Sequence, residues 1–194
     1  MPDFVKKSLN KYQHPTPTKP QHVPTKGTPI NYGAKVQAPT PDDNTSLLSP
    51  EGIQQVQDTV GTFAWYSRAT DPTMAHTLSS IAGRQSKATH QLREELTQLL
   101  DYCVTHPDTT VRFNVSDVLL GLHSDSSHLS GPGSKSRTAG HFYLTNKGTK
   151  HLDNGTILTS SKIIKQAMGS AGESEMVSLY YSCKNTVPLR TTLK

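Results

Sequence analysis

Apolar residues are scarce in this chain. Only 32 % of its 194 residues are hydrophobic, against a usual ~45–50 % on a comparable count that includes glycine. Part of the chain therefore lies outside any core. No apolar run approaches the ~18 residues of a membrane span, and the N-terminus carries no signal-peptide core. The expectation is a soluble intracellular protein, cytoplasmic or nuclear, with no membrane partner. Cysteine is nearly absent as well. Cys103 and Cys183 are isolated thiols, which excludes a disulfide framework. Nine histidines invite a zinc reading, and Cys103 with His106 has C-x-x-H spacing, but no second pair follows. A buried cysteine and an exposed histidine before Pro107 is the plainer expectation. Acidic residues are outnumbered 15 to 20 by Lys and Arg, giving a net charge of +5. That mild excess suits a polyanion such as nucleic acid without requiring one.

What the chain does have, first, is proline. Residues 1–48 are dominated by Pro, Thr, Lys and Gln, as in His14-Pro15-Thr16-Pro17-Thr18-Lys19-Pro20, followed by Pro24, Pro29, Pro39 and Pro41. Each proline removes a backbone donor and biases its predecessor toward extended conformations. The composition predicts an extended linker without a core, with a PxxP ligand at Pro17–Pro20 as the alternative to a plain spacer. Only Phe4-Val5-Lys6-Lys7-Ser8-Leu9 hints at a helix.

A helical region is predicted over 49–107. Ser49-Pro50 is a cap followed by a first-turn proline, and Ile53, Val56, Val60 and Phe63 recur at helical spacing to about Ser67 or Arg68. Asp71-Pro72 repeats the start signal ahead of Met74, Leu78 and Ile81. A third stripe, Leu92, Leu96, Leu99, Leu100 and Cys103, runs from about Thr89 to Thr105 and stops at Pro107. Trp65, Tyr66 and Arg68 either pack at a helix end or meet nucleic acid.

Residues 108–194 read as strands, then a helix, so the whole is an α+β chain. Thr109–Val115 and Val118–Asp125 resemble adjacent antiparallel strands joined by a turn at Asn114–Asp117. Ser130-Gly131-Pro132-Gly133-Ser134 is a loop, Arg137–Thr145 a strand, Asp153-Asn154-Gly155 a tight turn and Thr156–Lys162 a further strand. The last helix, about Ala171 to Cys183, opens with Ser170-x-x-Glu173, a capping box. Glu175 lies about 200° further round from Glu173 and shares the face of Leu179, so it is expected on the sheet-facing side. A carboxylate there needs a partner. A metal shared with Asp125, in His123-Ser124-Asp125-Ser126, would supply one; the plainer alternatives are an ordinary helix-surface acid for Glu175 and a solvated turn residue at a strand end for Asp125.

These strings resemble one family in order along nearly the full length. Val60-Gly61-Thr62-Phe63-Ala64-Trp65-Tyr66-Ser67-Arg68-Ala69-Thr70-Asp71-Pro72 resembles the "VG-LLYYAR-DP" segment of copia-type LTR retrotransposon Pol polyproteins. Phe4–Leu9 is similar to the "YVEKAL" piece after the polymerase palm. Leu122–Ser126 resembles the first ribonuclease H strand, and Ser170–Glu175 the "S-AEAE" helix start whose second acid is a metal ligand.

The resemblance implies a truncated ribonuclease H-like β-β-β-α unit over 108–194, behind a post-polymerase connection region. It implies Asp125 and Glu175 as catalytic Mg²⁺ ligands, Lys135 and Arg137 as contacts to the substrate backbone, and an RNA–DNA hybrid and the rest of a Pol polyprotein as partners. The family's polymerase Asp-Asp motif and the third ribonuclease H carboxylate, an Asp commonly in a "TDN" setting, have no counterpart in this sequence. The expectation is therefore a Pol-derived fragment. Its ribonuclease H activity belongs to the intact polyprotein, and the alternative is a non-catalytic remnant that binds nucleic acid or protein.

Overall fold

The structure, a computed structural model, describes residues 3–26, 43–131, 133–148 and 154–193. Pro29, Pro39, Pro41, Pro132, Asp153 and Lys194, on which expectations above fall, lie outside the described residues. The fold is α+β, and the chain divides into two compact units with the boundary after Thr110.

The first unit is helical. Its helices are α1 (Phe4–Lys11), α2 (Pro50–Ala69), α3 (Ala75–Ala82) and α4 (His90–Thr105). Start signals act as the sequence predicts. The Ser49 side chain accepts from the Gly52 N–H with Pro50 in the first turn, and Thr89 accepts from the Leu92 N–H. Asp71-Pro72 opens a single 3₁₀ turn, Pro72–Met74, that runs into α3. The periodic apolar stripes meet in one core of Val56, Val60, Phe63, Met74, Leu78, Ile81, Leu92, Leu96 and Leu99. Within it Asp71 is buried but satisfied, accepting from the Thr73 N–H at 3.2 Å and the Thr109 hydroxyl at 3.1 Å. Cys103 is buried beside the Met74 sulfur at 3.4 Å, and desolvation pushes its thiol far above the usual range.

The N-terminal segment needs correction. The extended linker predicted over residues 1–48 is not coreless at its two ends, since Val5, Leu9 and Leu48 are buried in this same core. The reason lies in α1, whose apolar residues at i, i+4 find a docking surface that the sequence pattern alone does not reveal. Phe4 stacks on Tyr66 at 5.1 Å and meets Trp65 at 5.4 Å, which gives that aromatic pair its packing role. Residues 14–26 do form an extended stretch with no buried residue. It is strapped to the unit by polar contacts, His14 to Asp101 at 2.7 Å and Lys26 to Glu94 at 3.1 Å among them.

The second unit is an antiparallel sheet in the order β1-β2-β3, with β1 (Leu119–Gly131), β2 (Lys135–Thr145) and β3 (Thr156–Ile163), and one helix, α5 (Ala171–Thr192). Asp125 pairs with Ala139, His123 with His141 and Gly140 with Ser160. Thr109–Val115 is not a strand, contrary to expectation. Isolated bonds hold this stretch and the turn after it instead: the Asn114 N–H donates to Asn154 Oδ1 at 2.8 Å, the Gly155 N–H donates to the Arg112 carbonyl at 2.9 Å, and the Asp117 N–H donates to Asn146 Oδ1 at 2.8 Å. Val118, at φ 59°, then breaks any continuation into β1. The last helix also outruns its expected end at Cys183, continuing through Pro188 to Thr192. Pro188 removes one backbone donor from that helix, while Thr191 and Thr192 hydroxyls donate back to the Val187 and Pro188 carbonyls at 3.0 Å.

α5 meets the sheet through hydroxyls rather than apolar side chains. Ser174, Ser178 and Ser182, one per turn, are fully buried, whereas Met176, Leu179, Tyr180 and Val187 are exposed. Ser178 Oγ lies 2.7 Å from Thr138 Oγ1, 3.1 Å from Ser124 Oγ and 3.2 Å from the Ala139 carbonyl, and also reaches the Asp125 carbonyl. Short side chains let the helix approach closely, and Gly140 completes the fit. A Cβ there would stand 2.9 Å from Ser182 Oγ and 3.0 Å from Ser160 Oγ.

Two substitutions test this account. Gly140→Ala should lower stability by about 1–3 kcal/mol, the usual cost of overfilling a tight contact, and speed amide exchange in β2 and α5. Unchanged exchange there would refute the close approach. Gly61→Ala, in an exposed stretch of α2 with no atom within 4 Å of the added carbon, should stabilise the helical unit by roughly 0.5–1 kcal/mol. The fluorescence of Trp65, the single tryptophan, reads that unit directly, and a lower urea midpoint would contradict the assignment.

Candidate functional site

Side chains alternate across a strand, and the serine contacts fix which face is which. Ser124 reaches Ser178 and Ser182, and His128 Nδ1 lies 3.1 Å from Ser174 Oγ, so the even-numbered residues of this stretch of β1 face α5. Ser136 and Thr138 of β2 do the same, at 3.3 Å from Ser174 Oγ and 2.7 Å from Ser178 Oγ. Asp125 therefore projects from the opposite face. Its carboxylate is exposed and accepts from the Ser126 N–H at 2.8 Å, while its main-chain carbonyl receives the Ser178 hydroxyl.

Glu173 keeps the capping role expected of it, with one change. Its backbone N–H donates to Ser170 Oγ at 3.2 Å, and its carboxylate accepts from the Gly169 N–H at 2.7 Å, one residue before the expected partner. Glu175 does not face the sheet. It is exposed, as is Leu179, because the inward stripe of α5 is Ser174-Ser178-Ser182 and not the Glu175–Leu179 side. Glu175 does share a side of α5 with Leu179, but on this helix the apolar residue does not mark the buried side. Asp125 and Glu175 thus lie on opposite sides of the sheet and do not form a common pocket. Among the described residues no group of three or more His, Cys, Asp or Glu gathers as a metal-holding set. This donor arrangement does not fit a shared Mg²⁺, which needs several oxygens in near-octahedral geometry.

The two cations also separate. Lys135, at the start of β2, is exposed and free to meet a phosphate. Arg137 is 7 % exposed and its guanidinium donates to Ser161 Oγ at 3.3 Å, so it braces β2 against β3.

The face that carries Asp125 holds a ring cluster that the sequence reading missed. His123, His141 and Tyr143 share it, with the Tyr143 hydroxyl 2.8 Å from His123 Nε2, the His123 and Tyr143 rings stacked at 5.1 Å, and His141 tilted against Tyr143 at 5.6 Å. Tyr143 leans across Gly121, where a Cβ would lie 2.7 Å from its ring. The available signal was the period-two spacing of His123 with Gly121 and of His141 with Tyr143, two positions that pair once the strands register. Burial, and then the charge of His123, hold the His141 pKa below the usual imidazole value. Flat rings on a sheet face can stack a base or another planar group. No helix among the described residues is long and apolar enough to cross a membrane.

Comparison with protein-family profiles, curated proteins and solved structures finds no match to this chain.

The depressed His141 pKa makes stability depend on pH. Between the folded value and the unfolded value of about 6.5, the unfolded chain binds more protons, so this contribution is complete above that range and declines as pH falls through it. Denaturant midpoints should drop from pH 7.5 to 5.5, and His141→Gln should flatten the drop. An unaltered slope in that variant would remove His141 as its source.

Proposed function

We propose that this chain derives from a copia-type Pol polyprotein, that its second unit has the β-β-β-α opening of a ribonuclease H-like fold, and that this unit binds nucleic acid without cutting it. Support for the ancestry is the order of elements beneath the sequence resemblance. An antiparallel β1-β2-β3 meander carries Asp125 in its first strand and is followed by α5, which opens on Ser170-Ala171-Gly172-Glu173-Ser174-Glu175. In an intact Pol the resemblance implies hydrolysis of RNA in an RNA–DNA hybrid.

The observation that carries the non-cleaving reading is the split of the two acids. In-line phosphodiester hydrolysis needs carboxylates converging on paired metals about 3.5–4 Å apart. Asp125 and Glu175 leave opposite sides of the sheet, and the capping Glu173 is held by Gly169. Misplacement of about 1 Å already costs on the order of 100-fold in rate, and these two acids do not share a side of the sheet. No catalytic step through Mg²⁺ is therefore assigned. Binding is favoured by the exposed His123 ring with its stacked Tyr143, by the exposed Lys135 and by the net charge of +5. These groups suit stacking on bases and screened attraction to phosphates.

The test uses the chain as it stands with a labelled RNA–DNA hybrid. Binding by fluorescence anisotropy should weaken steadily as salt rises, and Lys135→Ala with His123→Ala should weaken it further. Gel analysis with Mg²⁺ should show no cleavage. Robust Mg²⁺-dependent cutting, abolished by both Asp125→Asn and Glu175→Gln, would overturn the non-cleaving reading, and absence of salt-sensitive binding would overturn the binding one.

A further inference from the structure

His106, singled out in the sequence only for its C-x-x-H spacing from Cys103, does not turn toward that thiol. Cys103 is buried against Met74, whereas His106 is the exposed C-cap residue of α4. Its Nε2 atom lies 3.1 Å from Nδ1 of His22, which sits on the extended strap of the same unit, with the ring centroids 5.2 Å apart and the planes at 63°. Two imidazole nitrogens thus face one another in water-accessible space. From these positions we infer that His22 and His106 form a two-histidine site for a divalent ion of the nickel–copper–zinc class, which clips the strap to the end of α4.

Geometry supports the assignment. With metal–nitrogen bonds of about 2.0–2.1 Å, a nitrogen separation of 3.1 Å corresponds to an angle of about 100° at the metal. That lies between the square-planar and tetrahedral values, which are the geometries these ions adopt with imidazole. Water fills the remaining positions, since both rings are exposed. Imidazole also suits these ions better than Mg²⁺ or Ca²⁺, which prefer oxygen donors.

The strap holds His22 in place before any ion arrives. The preceding Gln21 N–H donates to Thr105 Oγ1 at 2.9 Å, and Gln98 Nε2 donates to Gln21 Oε1 at 3.0 Å and to the following Val23 carbonyl at 2.9 Å. Both neighbours of His22 are therefore anchored to α4. On the other side the Tyr102 ring lies 5.0 Å from the His106 ring and limits its swing. Preorganisation of this kind lowers the ordering cost of binding. The site ties residues far apart in the sequence, so occupancy stabilises the folded helical unit over the unfolded chain.

The experiment titrates the full chain with Cu²⁺, followed by electron paramagnetic resonance, and with Ni²⁺, followed by calorimetry. The variants are His22→Gln, His106→Gln and, as control for the other histidine pair, His123→Gln with His141→Gln. The expected result is one tight equivalent whose spectrum shows two nitrogen ligands. Either single variant should weaken it at least about tenfold, since even indirect partners of metal ligands are worth about 10–100-fold, and the control should leave it unchanged. Equal affinity and spectrum in the wild type and the His22 or His106 variants would overturn the site, as would a loss confined to the control. Amide exchange of the wild-type chain gives a readout independent of variant folding: Ni²⁺ should slow exchange at residues 21–23 and 105–106. No slowing there would leave the pair a simple N–H···N hydrogen bond and refute the inference.

Discussion

A single hydroxyl, Ser178 Oγ, sits where β1, β2 and α5 meet, and the second unit is arranged around what it can and cannot bond. A serine hydroxyl has one proton to give and two lone pairs to receive. Four groups surround it: the Thr138 and Ser124 hydroxyls and the carbonyls of Ala139 and Asp125. It can donate to one carbonyl while the two hydroxyls donate into it, so the contact is nearly saturated. Ser174 and Ser182 extend the same pattern one turn in each direction, to Ser136 and Ser124. Buried polar groups left unpaired are costly. That cost fixes both the rotation of α5 and its register along the sheet, because moving either would strand several hydroxyls at once.

The helical unit rests on a different principle. Its core is a continuous set of aliphatic and aromatic side chains drawn from four helices, with α1 contributing Val5 and Leu9. Non-directional burial of this kind tolerates small shifts. The polar groups inside it, Asp71 above all, are tied down locally by Thr73 and Thr109. In the second unit Phe142, Tyr143 and Ile164 are the buried apolar residues among those described. There, close contact between small groups substitutes for apolar area, and Gly121, Gly140 and Gly155 are among the positions at which the contact leaves no room for a side chain.

The fate of the candidate site follows from that serine contact. Once Ser124 is committed to α5, strand alternation sends His123 and Asp125 to the other face, where register brings His141 and Tyr143 alongside. The same commitment turns Glu175 outward with Leu179. Asp125 and Glu175 are thus kept apart by the α5–sheet interface. The ring cluster of His123, His141 and Tyr143 takes the face that carries Asp125.

Much of the fold was legible from local signals. Ser49-Pro50, Thr89 and Ser170-x-x-Glu173 marked helix starts because capping is satisfied within a few residues. The stripes through Phe63, Ile81 and Leu99 marked the helical core because burial there obeys a simple 3.6-residue period. β1, β2 and β3 were recognisable from their β-branched and apolar runs, though β1 extends to Gly131, well beyond Asp125. The site was less legible. Which face of α5 is inward could not be taken from hydrophobicity, since serine holds the interface and leucine and methionine stand outside it. The false strand at Thr109–Val115 has the right residues, but Asn114, Asn146 and Asn154 satisfy its neighbourhood without a ladder. Capping and periodicity depend on neighbours in the chain, so the sequence by itself determined the helices and the order of the strands. The facing of Asp125, Glu175 and Arg137, and the meeting of His22 with His106, depend on hydrogen bonds between distant segments, and those only the tertiary structure decided.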